Sequence, residues 1–144
     1  MAAWLKPFAV AGALMASVAM SSAQDATKGA TVFKQCMTCH RIGPDAKILV
    51  GPVLTGVIGR QAGTYPGYPY SALNKASGEN GLVWDEENVF NYLPDPTAFL
   101  KKFLTDKGKP ELATGMTKMT FKLANEQQRR DVIAYIKTFS PPKP

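Results

Sequence analysis

Histidine and cysteine are scarce in this sequence. Its 144 residues contain one histidine and two cysteines, and all three lie within residues 36–40. A structural zinc site needs about four cysteine and histidine ligands, so this chain could build one only by adding carboxylates. A Ser-His-Asp triad would have to use His40, which stands beside two cysteines and in no nucleophile motif. The scarcity argues against both kinds of site.

Charged residues are also few, and their balance is positive. They make up 19% of the chain against 45% hydrophobic residues, which is typical of a folded domain rather than a disordered polyelectrolyte. The length suits a single domain. Seventeen Lys and Arg against eleven Asp and Glu give a net charge of +6. This excess favours acidic partners or anionic surfaces and carries no information about the fold.

The first 23 residues are predicted to be a cleaved secretory signal peptide. Lys6 and the amino terminus are positive, residues 7–20 form an apolar run, and small residues follow at 21–23. The apolar run is shorter than the roughly 20 residues that a membrane-spanning helix needs. No twin arginine precedes it, which favours the general secretory route. We therefore expect residues 24–144 to form a mature domain in the periplasm.

Helix signals fall at four places in the mature chain, and strand-like alternation is rare. The predicted helices follow Asp25 or Thr27, Asp85, Asp95 with Pro96, and Asn125 with Gln128 as its capping-box partner. Residues 40–84 are predicted to be a long irregular stretch that holds most of the chain's twelve glycines. Such a loop is unusual in a compact domain. It indicates that a large apolar cofactor supplies the packing surface that a protein core would otherwise provide.

Residues 36–40, Cys-Met-Thr-Cys-His, form a C-x-x-C-H motif, the signature of c-type haem attachment. Cysteines three positions apart on a helix share one face, so both sulfurs can reach the vinyl groups along one porphyrin edge. The next residue lies about 100° further round the helix, which directs the His40 imidazole toward the iron. The motif predicts one haem c, attached through Cys36 and Cys39 and ligated by His40.

Three other interpretations of the motif are weaker. A thioredoxin-like C-x-x-C belongs in a βαβ setting, which the helical pattern lacks. A structural disulfide suits an oxidising compartment but leaves the long loop unexplained. A chance match would have to arise in a chain with no other cysteine or histidine.

The second axial ligand is not decided by the residues alone. Since there is no second histidine, a methionine, a lysine, water or an open position are the alternatives. Met37 lies inside the attachment turn and cannot cross the ring, so Met116 and Met119 remain as candidate sulfur ligands. A Met/His pair raises the reduction potential, which suits an electron carrier, and a closed sixth position blocks oxygen chemistry.

Taken together, these features resemble the class I cytochromes c, and most of all the cytochrome c2 branch of alpha-proteobacteria. The resemblance implies an all-α fold of four or five helices, with long loops wrapped around one covalently bound haem. It extends over the whole mature chain. The residues that carry it are Gly29, Phe33, 36–40, 51–56, Gly59, Arg60, 67–70, Asn74, 81–84, Tyr92, Leu93, 118–121 and 131–135.

The resemblance also implies roles for individual residues. His40 would be the proximal ligand, with the Pro52 carbonyl accepting a hydrogen bond from its other ring nitrogen. Met119 rather than Met116 would be the distal ligand, because Lys and Phe flank it as in the family pattern. Residues predicted to hydrogen-bond the haem propionates are Arg60, Tyr70 and Trp84, and those predicted to line the distal pocket are Asn74 and Tyr92. Without the resemblance, Trp84 and Tyr92 would be interpreted as core aromatics.

Two stretches depart from the family pattern. The segment 100–116 is longer than in mitochondrial cytochromes c, as in longer members of the cytochrome c2 branch, and it carries several lysines. The stretch 65–69 (Tyr-Pro-Gly-Tyr-Pro) is unusually rich in proline, and nothing in the sequence assigns it a role.

The implied function is one-electron transport by a monomer, from a quinol:cytochrome c oxidoreductase such as cytochrome bc1 to a photosynthetic reaction centre or a terminal oxidase. A narrower version is a dedicated acceptor for one periplasmic dehydrogenase. The alternative class is a ligand-binding or peroxidase-like haem c protein with a labile sixth site. Nucleic acid is not an expected partner. Lysines predicted to form a positive ring for acidic docking faces are Lys34, Lys101, Lys102, Lys118 and Lys122, with Lys118 the first candidate.

Overall fold

The computed structural model describes residues 23–142, and residues 1–22 of the predicted signal peptide lie outside this range. In this part of the chain, the only strand pairing is an isolated antiparallel bridge between Gln61 and Val83. None of its helices has the length and apolar character needed to cross a membrane. The elements are α1 (Ala26–Phe33), α2 (Ala72–Glu79), α3 (Glu86–Tyr92), α4 (Pro96–Asp106), a short 3-10 helix (Pro110–Leu112) and α5 (Glu126–Lys137).

The predicted helix caps are present. Asp25, not Thr27, caps α1, since its carboxylate accepts hydrogen bonds from the backbone N–H groups of Thr27 (2.9 Å) and Lys28 (3.0 Å). The remaining predicted caps, each accepting from the N–H group three residues later, are Asp85, Asp95 and Asn125. These side chains satisfy N–H groups that have no partner within the helix, which is why each helix begins where it does.

Helix α2 corrects the prediction that residues 40–84 are irregular throughout. Ser71 caps it by accepting from the Asn74 N–H group at 3.2 Å. Its buried face consists of Leu73, Asn74, Ser77 and Gly78, so the sequence carries no apolar stripe. A Cβ atom on Gly78 would lie 1.8 Å from the carbonyl oxygen of Ala62. The backbone of α2 at Gly78 therefore packs directly against the backbone at Ala62. A helix buried through small and polar residues escapes detection by hydrophobic periodicity.

The first and last helices cross at very close range. A Cβ atom on Gly29 of α1 would lie 1.9 Å from the carbonyl oxygen of Asp131 in α5, so only glycine allows this approach. Phe33 and Val132 are buried beside the crossing, and the ring of Tyr135 lies 5.3 Å from that of Phe33. These side chains pack around Gly29, and the crossing joins the two ends of the described chain.

The interior combines aliphatic side chains from α4 and α5 with an aromatic group. Leu100 and Leu104 of α4 are fully buried, as are Val132 and Ile133 of α5. The aromatic group consists of Trp84, Tyr92 and Phe99, with ring centroids 4.7 to 6.3 Å apart. Trp84 and Tyr92 of this group line the cavity described next.

Candidate haem site

A cavity of about 220 Å³ lies among the turn after α1, the loop at 50–57, the segment 68–74, helices α3 and α5, and the segment 117–121. Apolar side chains such as Leu54, Val57, Val89 and Leu93 form much of its wall. Nine of the ten predicted site residues line it: Cys36, Cys39, His40, Pro52, Tyr70, Asn74, Trp84, Tyr92 and Met119. The tenth, Arg60, does not. The fold thus assembles residues that are far apart in sequence around one space.

The attachment motif continues α1 as a hydrogen-bonded turn. The N–H groups of Cys39 (3.1 Å) and His40 (2.8 Å) both donate to the Cys36 carbonyl, which holds the three side chains in fixed relation. Both cysteines are free thiols and half-buried. Burial, reinforced by the neighbouring Cys39, raises the pKa of the Cys36 thiol to about 11. Two unpaired sulfurs on one turn are the arrangement that double thioether attachment needs.

His40 is oriented by the loop that follows the motif. Its Nδ1 lies 2.7 Å from the Pro52 carbonyl oxygen, a bond that requires the proton on Nδ1 and leaves Nε2 free as a ligand atom. Burial lowers the pKa of His40, and the hydrogen bond to Pro52 opposes that effect in part, so the ring is neutral at pH 7. A Cβ atom on Gly51 would lie 2.5 Å from the ring, so the loop passes His40 as closely as glycine permits.

The two candidate methionines differ sharply in their surroundings. Met119 is half-buried and lines the cavity, whereas Met116 is 68% exposed and does not. Residue spacing alone left both methionines as candidates, and the family resemblance favoured Met119. Thr117, two residues before Met119, is buried and anchors the segment by donating its N–H to the Thr97 hydroxyl at 3.2 Å. The structure therefore brings Met119, not Met116, to the cavity that contains His40.

Two of the polar residues in the cavity have informative environments. The side-chain oxygen of Asn74 is buried and has no hydrogen-bond partner among the described residues. Burial raises the pKa of Tyr92 to about 12, against the effect of its hydrogen bond with Thr117. Because buried polar atoms are almost always satisfied, the unpaired Asn74 oxygen points to a bound group or water in this cavity.

Tyr70 and Arg60, two of the three residues predicted to contact the propionates, differ in position. Tyr70 lines the cavity and its hydroxyl accepts from the Tyr65 N–H at 3.2 Å. Arg60 lies behind the lining, where its guanidinium donates to the carbonyls of Val53 (2.9 Å) and Thr55 (2.5 Å). Arginine has five N–H donors, so these two bonds leave others for a further acceptor. Its contact with a propionate stays a prediction.

Three of the five lysines predicted to form a positive ring interact with other residues of the chain. Lys102 pairs with Asp106 and Lys122 with Asp95, each at 2.6 Å. Lys118 donates to the Pro69 carbonyl and lies 5.7 Å from the centroid of the Tyr68 ring. Tyr68 and Thr117 also line the cavity and were missed as site residues. No local motif marks Thr117, whereas the unusual Tyr-Pro-Gly-Tyr-Pro stretch was a signal for Tyr68.

The residues of this cavity fit a haem c. Two free thiols stand on one turn, a neutral imidazole presents Nε2, and a thioether lines the same space. The cavity wall is mainly apolar, and the buried Asn74 side-chain oxygen has no hydrogen-bond partner among the described residues. In the described residues, no group of three or more His, Cys, Asp and Glu side chains could hold a metal ion directly.

Comparison with known proteins agrees with this geometry. The family model described as Cytochrome c matches residues 26–140. Cytochrome c2 iso-1 of Rhodospirillum centenum is 70% identical over 116 residues, which cover 81% of this chain and 97% of that protein. Cytochrome c2 of Rhodopseudomonas palustris (strain ATCC BAA-98 / CGA009) is 64% identical over 130 residues, 90% of each chain.

Solved structures show the same fold. The structure of cytochrome c2 from Rhodospirillum centenum has a TM-score of 0.81 at 66% identity and covers 81% of this chain and 99% of that one. Ferricytochrome c2 from Rhodopseudomonas palustris gives 0.77 at 63% identity, covering 81% and 100%. The predicted all-α cytochrome fold and single covalently attached haem c are thereby confirmed. This chain belongs to the class I cytochrome c family, in its cytochrome c2 group, whose members are electron carriers and not enzymes.

Proposed function

We propose that the protein is a periplasmic one-electron carrier whose haem iron is ligated by His40 and Met119. The observation that supports this most directly is that both side chains line one cavity with Cys36 and Cys39, while Met116 is exposed. When bound, the haem supplies a ferrous–ferric couple, and a Met/His ligand pair raises its potential.

The chain's own residues would serve this function mainly by orientation and by exclusion of water. Pro52 fixes the tautomer and plane of His40, and Gly51 lets the loop lie directly against the imidazole. The apolar wall keeps water away from the ligand positions, so few dipoles need to reorient when the charge changes. A rigid, dry site is what rapid electron transfer without chemical side reactions requires.

The polar residues in and behind the cavity would contact the haem propionates or line the distal pocket. We assign Tyr70, Trp84 and Arg60 to the propionates and Asn74 and Tyr92 to the distal pocket. Their support is unequal: Tyr70, Trp84, Asn74 and Tyr92 line the cavity, and Arg60 lies behind it.

The location and partners complete the proposal. Residues 1–23 would be removed as a signal peptide and residues 24–144 would form the haem domain. The monomer would take electrons from a quinol:cytochrome c oxidoreductase and pass them to a reaction centre or terminal oxidase. The net charge of +6, which becomes +5 when Lys6 is removed with the signal peptide, supports acidic docking faces on both complexes.

Carbon monoxide binding by the dithionite-reduced holoprotein tests the closed sixth position. We expect no spectral change in the parent protein and rapid binding in Met119→Ala, because removal of the thioether opens the iron. Met116→Ala is the matched control and should behave as the parent, since that side chain is exposed. Rapid binding by the parent would favour a ligand-binding or peroxidase-like protein, and closure lost only in Met116→Ala would move the ligand to Met116.

A further inference from the structure

Tyr68 connects the two sides of the cavity mouth. Its hydroxyl donates to the Val50 carbonyl at 3.0 Å, and its ring lies 5.7 Å from the Lys118 ammonium. Lys118 also donates to the carbonyl of Pro69, the residue next to Tyr68. Val50, Tyr68 and Lys118 all line the cavity. The stretch 65–70, called the strap below, thus reaches both sides.

One side lies against the proposed ligand His40, and the other carries the proposed ligand Met119. Val50 directly precedes Gly51 and Pro52, the residues that contact the imidazole of His40. Lys118 directly precedes Met119. A contact that joins Val50 to Lys118 through Tyr68 therefore links the loop behind one ligand to the segment bearing the other.

The segment that bears Met119 makes few hydrogen bonds besides that of Lys118. Within residues 23–142, the stretch 118–121 makes one hydrogen bond to the rest of the chain, the one from Lys118 to Pro69. The flanking contacts are the hydrogen bonds of Thr117 to Thr97 (3.2 Å) and of Leu123 to the Leu93 carbonyl (2.8 Å), and the ion pair of Lys122 with Asp95 (2.6 Å). A stretch with so few bonds opens locally at low cost, so its single tie has a large influence on opening.

The strap itself is anchored. The Tyr70 hydroxyl accepts from the Tyr65 N–H at 3.2 Å, and the rings of Tyr68 and Tyr70 pack edge to face with centroids 4.7 Å apart. The Arg60 guanidinium lies 4.9 Å over the ring of Tyr65 and is bonded to the neighbouring loop. The tie from Lys118 therefore ends on a held element and not on a loose loop.

We propose that Tyr68 and Lys118 are positioning residues that latch the 117–121 segment over the cavity and set how often Met119 leaves the iron. The inference rests on the proposed ligation by Met119. It gives the Tyr-Pro-Gly-Tyr-Pro stretch a role. It also means that Lys118, the first candidate for partner docking, interacts within the chain. A charge-assisted hydrogen bond and a cation–π contact act together on one ammonium group.

Imidazole binding to the ferric holoprotein, followed by stopped flow at constant pH and high salt, tests the latch. At saturating imidazole the observed rate equals the rate at which Met119 leaves. We expect Lys118→Met and Tyr68→Leu to raise this limiting rate about tenfold, equivalent to about 1.4 kcal/mol. Lys118→Arg retains a donor and a cation and should stay within about twofold of the parent. Lys109→Met removes the same charge from an exposed side chain that makes no hydrogen bond or ion pair among the described residues, and it should leave the rate unchanged.

Amide hydrogen exchange separates a latch from general destabilisation. We expect faster exchange of the Thr117 and Leu123 amides, which are hydrogen-bonded at the two ends of the segment, in Lys118→Met and Tyr68→Leu, with unchanged exchange at Val132 and Ile133 of α5. Equal acceleration at both places would mean lower global stability and would overturn the latch, as would a limiting rate identical to the parent's. A parent protein that binds imidazole as fast as Met119→Ala would instead refute the Met119 ligation itself and the latch with it.

Discussion

Gly51→Ala is expected to disturb the proximal side of the haem site through one added methyl group. The new Cβ would lie 2.5 Å from Cε1, 2.8 Å from Nδ1 and 3.0 Å from Nε2 of His40. All three atoms belong to a ring that is held by Pro52 at 2.7 Å and proposed to be held by the iron. The ring cannot swing aside without losing one of these bonds, so the methyl group must push the loop away.

The size of the effect follows from those contacts. Overpacking costs about 1–3 kcal/mol. Loss of the His40 hydrogen bond to Pro52 would add about 0.5–1.5 kcal/mol. We therefore expect the free energy of unfolding to fall by about 1.5–4.5 kcal/mol in total. The haem absorption spectrum should change as well, because the imidazole is reoriented.

Gly59→Ala is the matched control. Gly59 has a φ of +95°, and a Cβ atom there would meet nothing within 4 Å. Its replacement should cost about 1–2 kcal/mol through backbone strain alone and leave the spectrum unchanged. Urea unfolding of both holoproteins, with absorption spectra in parallel, makes the comparison. A Gly51→Ala protein as stable as the parent, with an unaltered spectrum, would refute the close packing of Gly51 on His40.

Two further perturbations test the charges of the protein. The Lys122 hydrogen bond and then the Ala98 N–H lower the pKa of Asp95 from its ordinary 3.8, so this carboxylate stabilises the fold at neutral pH and its contribution disappears as pH falls through the lowered value. Asp95→Asn keeps a cap but cannot titrate, and we expect its urea midpoint to fall less steeply below pH 4 than the parent's; parallel curves would contradict the assignment. Lys34→Glu should slow electron transfer to an acidic partner at low salt and matter much less near 0.5 M salt, whereas Lys28→Glu, outside the predicted ring, should have little effect; equal slowing at all salt concentrations would argue against electrostatic steering.

Local chemistry decided which parts of this protein could be predicted. Asp85, Asp95 and Asn125 mark helix starts because capping depends on one side chain and the next three residues. The C-x-x-C-H motif likewise carries its haem chemistry within five positions. Helix α2 was missed because its buried face holds small and polar groups that fit against backbone, a property of the partner surface and not of the segment.

The same contrast between local signals and contacts of distant segments holds for the haem site. The family resemblance favoured Met119 over Met116, but the difference in burial between the two side chains depends on the fold. The link from Tyr68 to Val50 and Lys118 joins three distant stretches and leaves no periodic trace in the sequence. The engagement of Lys102 and Lys122 in ion pairs is equally a matter of which surfaces meet. Sequence therefore predicted the chemistry of the centre better than the contacts that hold it closed.

The crossing of α1 and α5 has a consequence for the order in which the protein matures. Asp25 and Asp131, which are hydrogen-bonded across the crossing, lie 106 positions apart, so α1 has no partner until nearly the whole polypeptide is available. Contacts between such distant parts of a chain form slowly. The attachment cysteines directly follow α1, and in an exported chain they would remain accessible until the C-terminal helix docks. Closing the fold by its last helix thus leaves an interval in which the haem can be attached to an open chain.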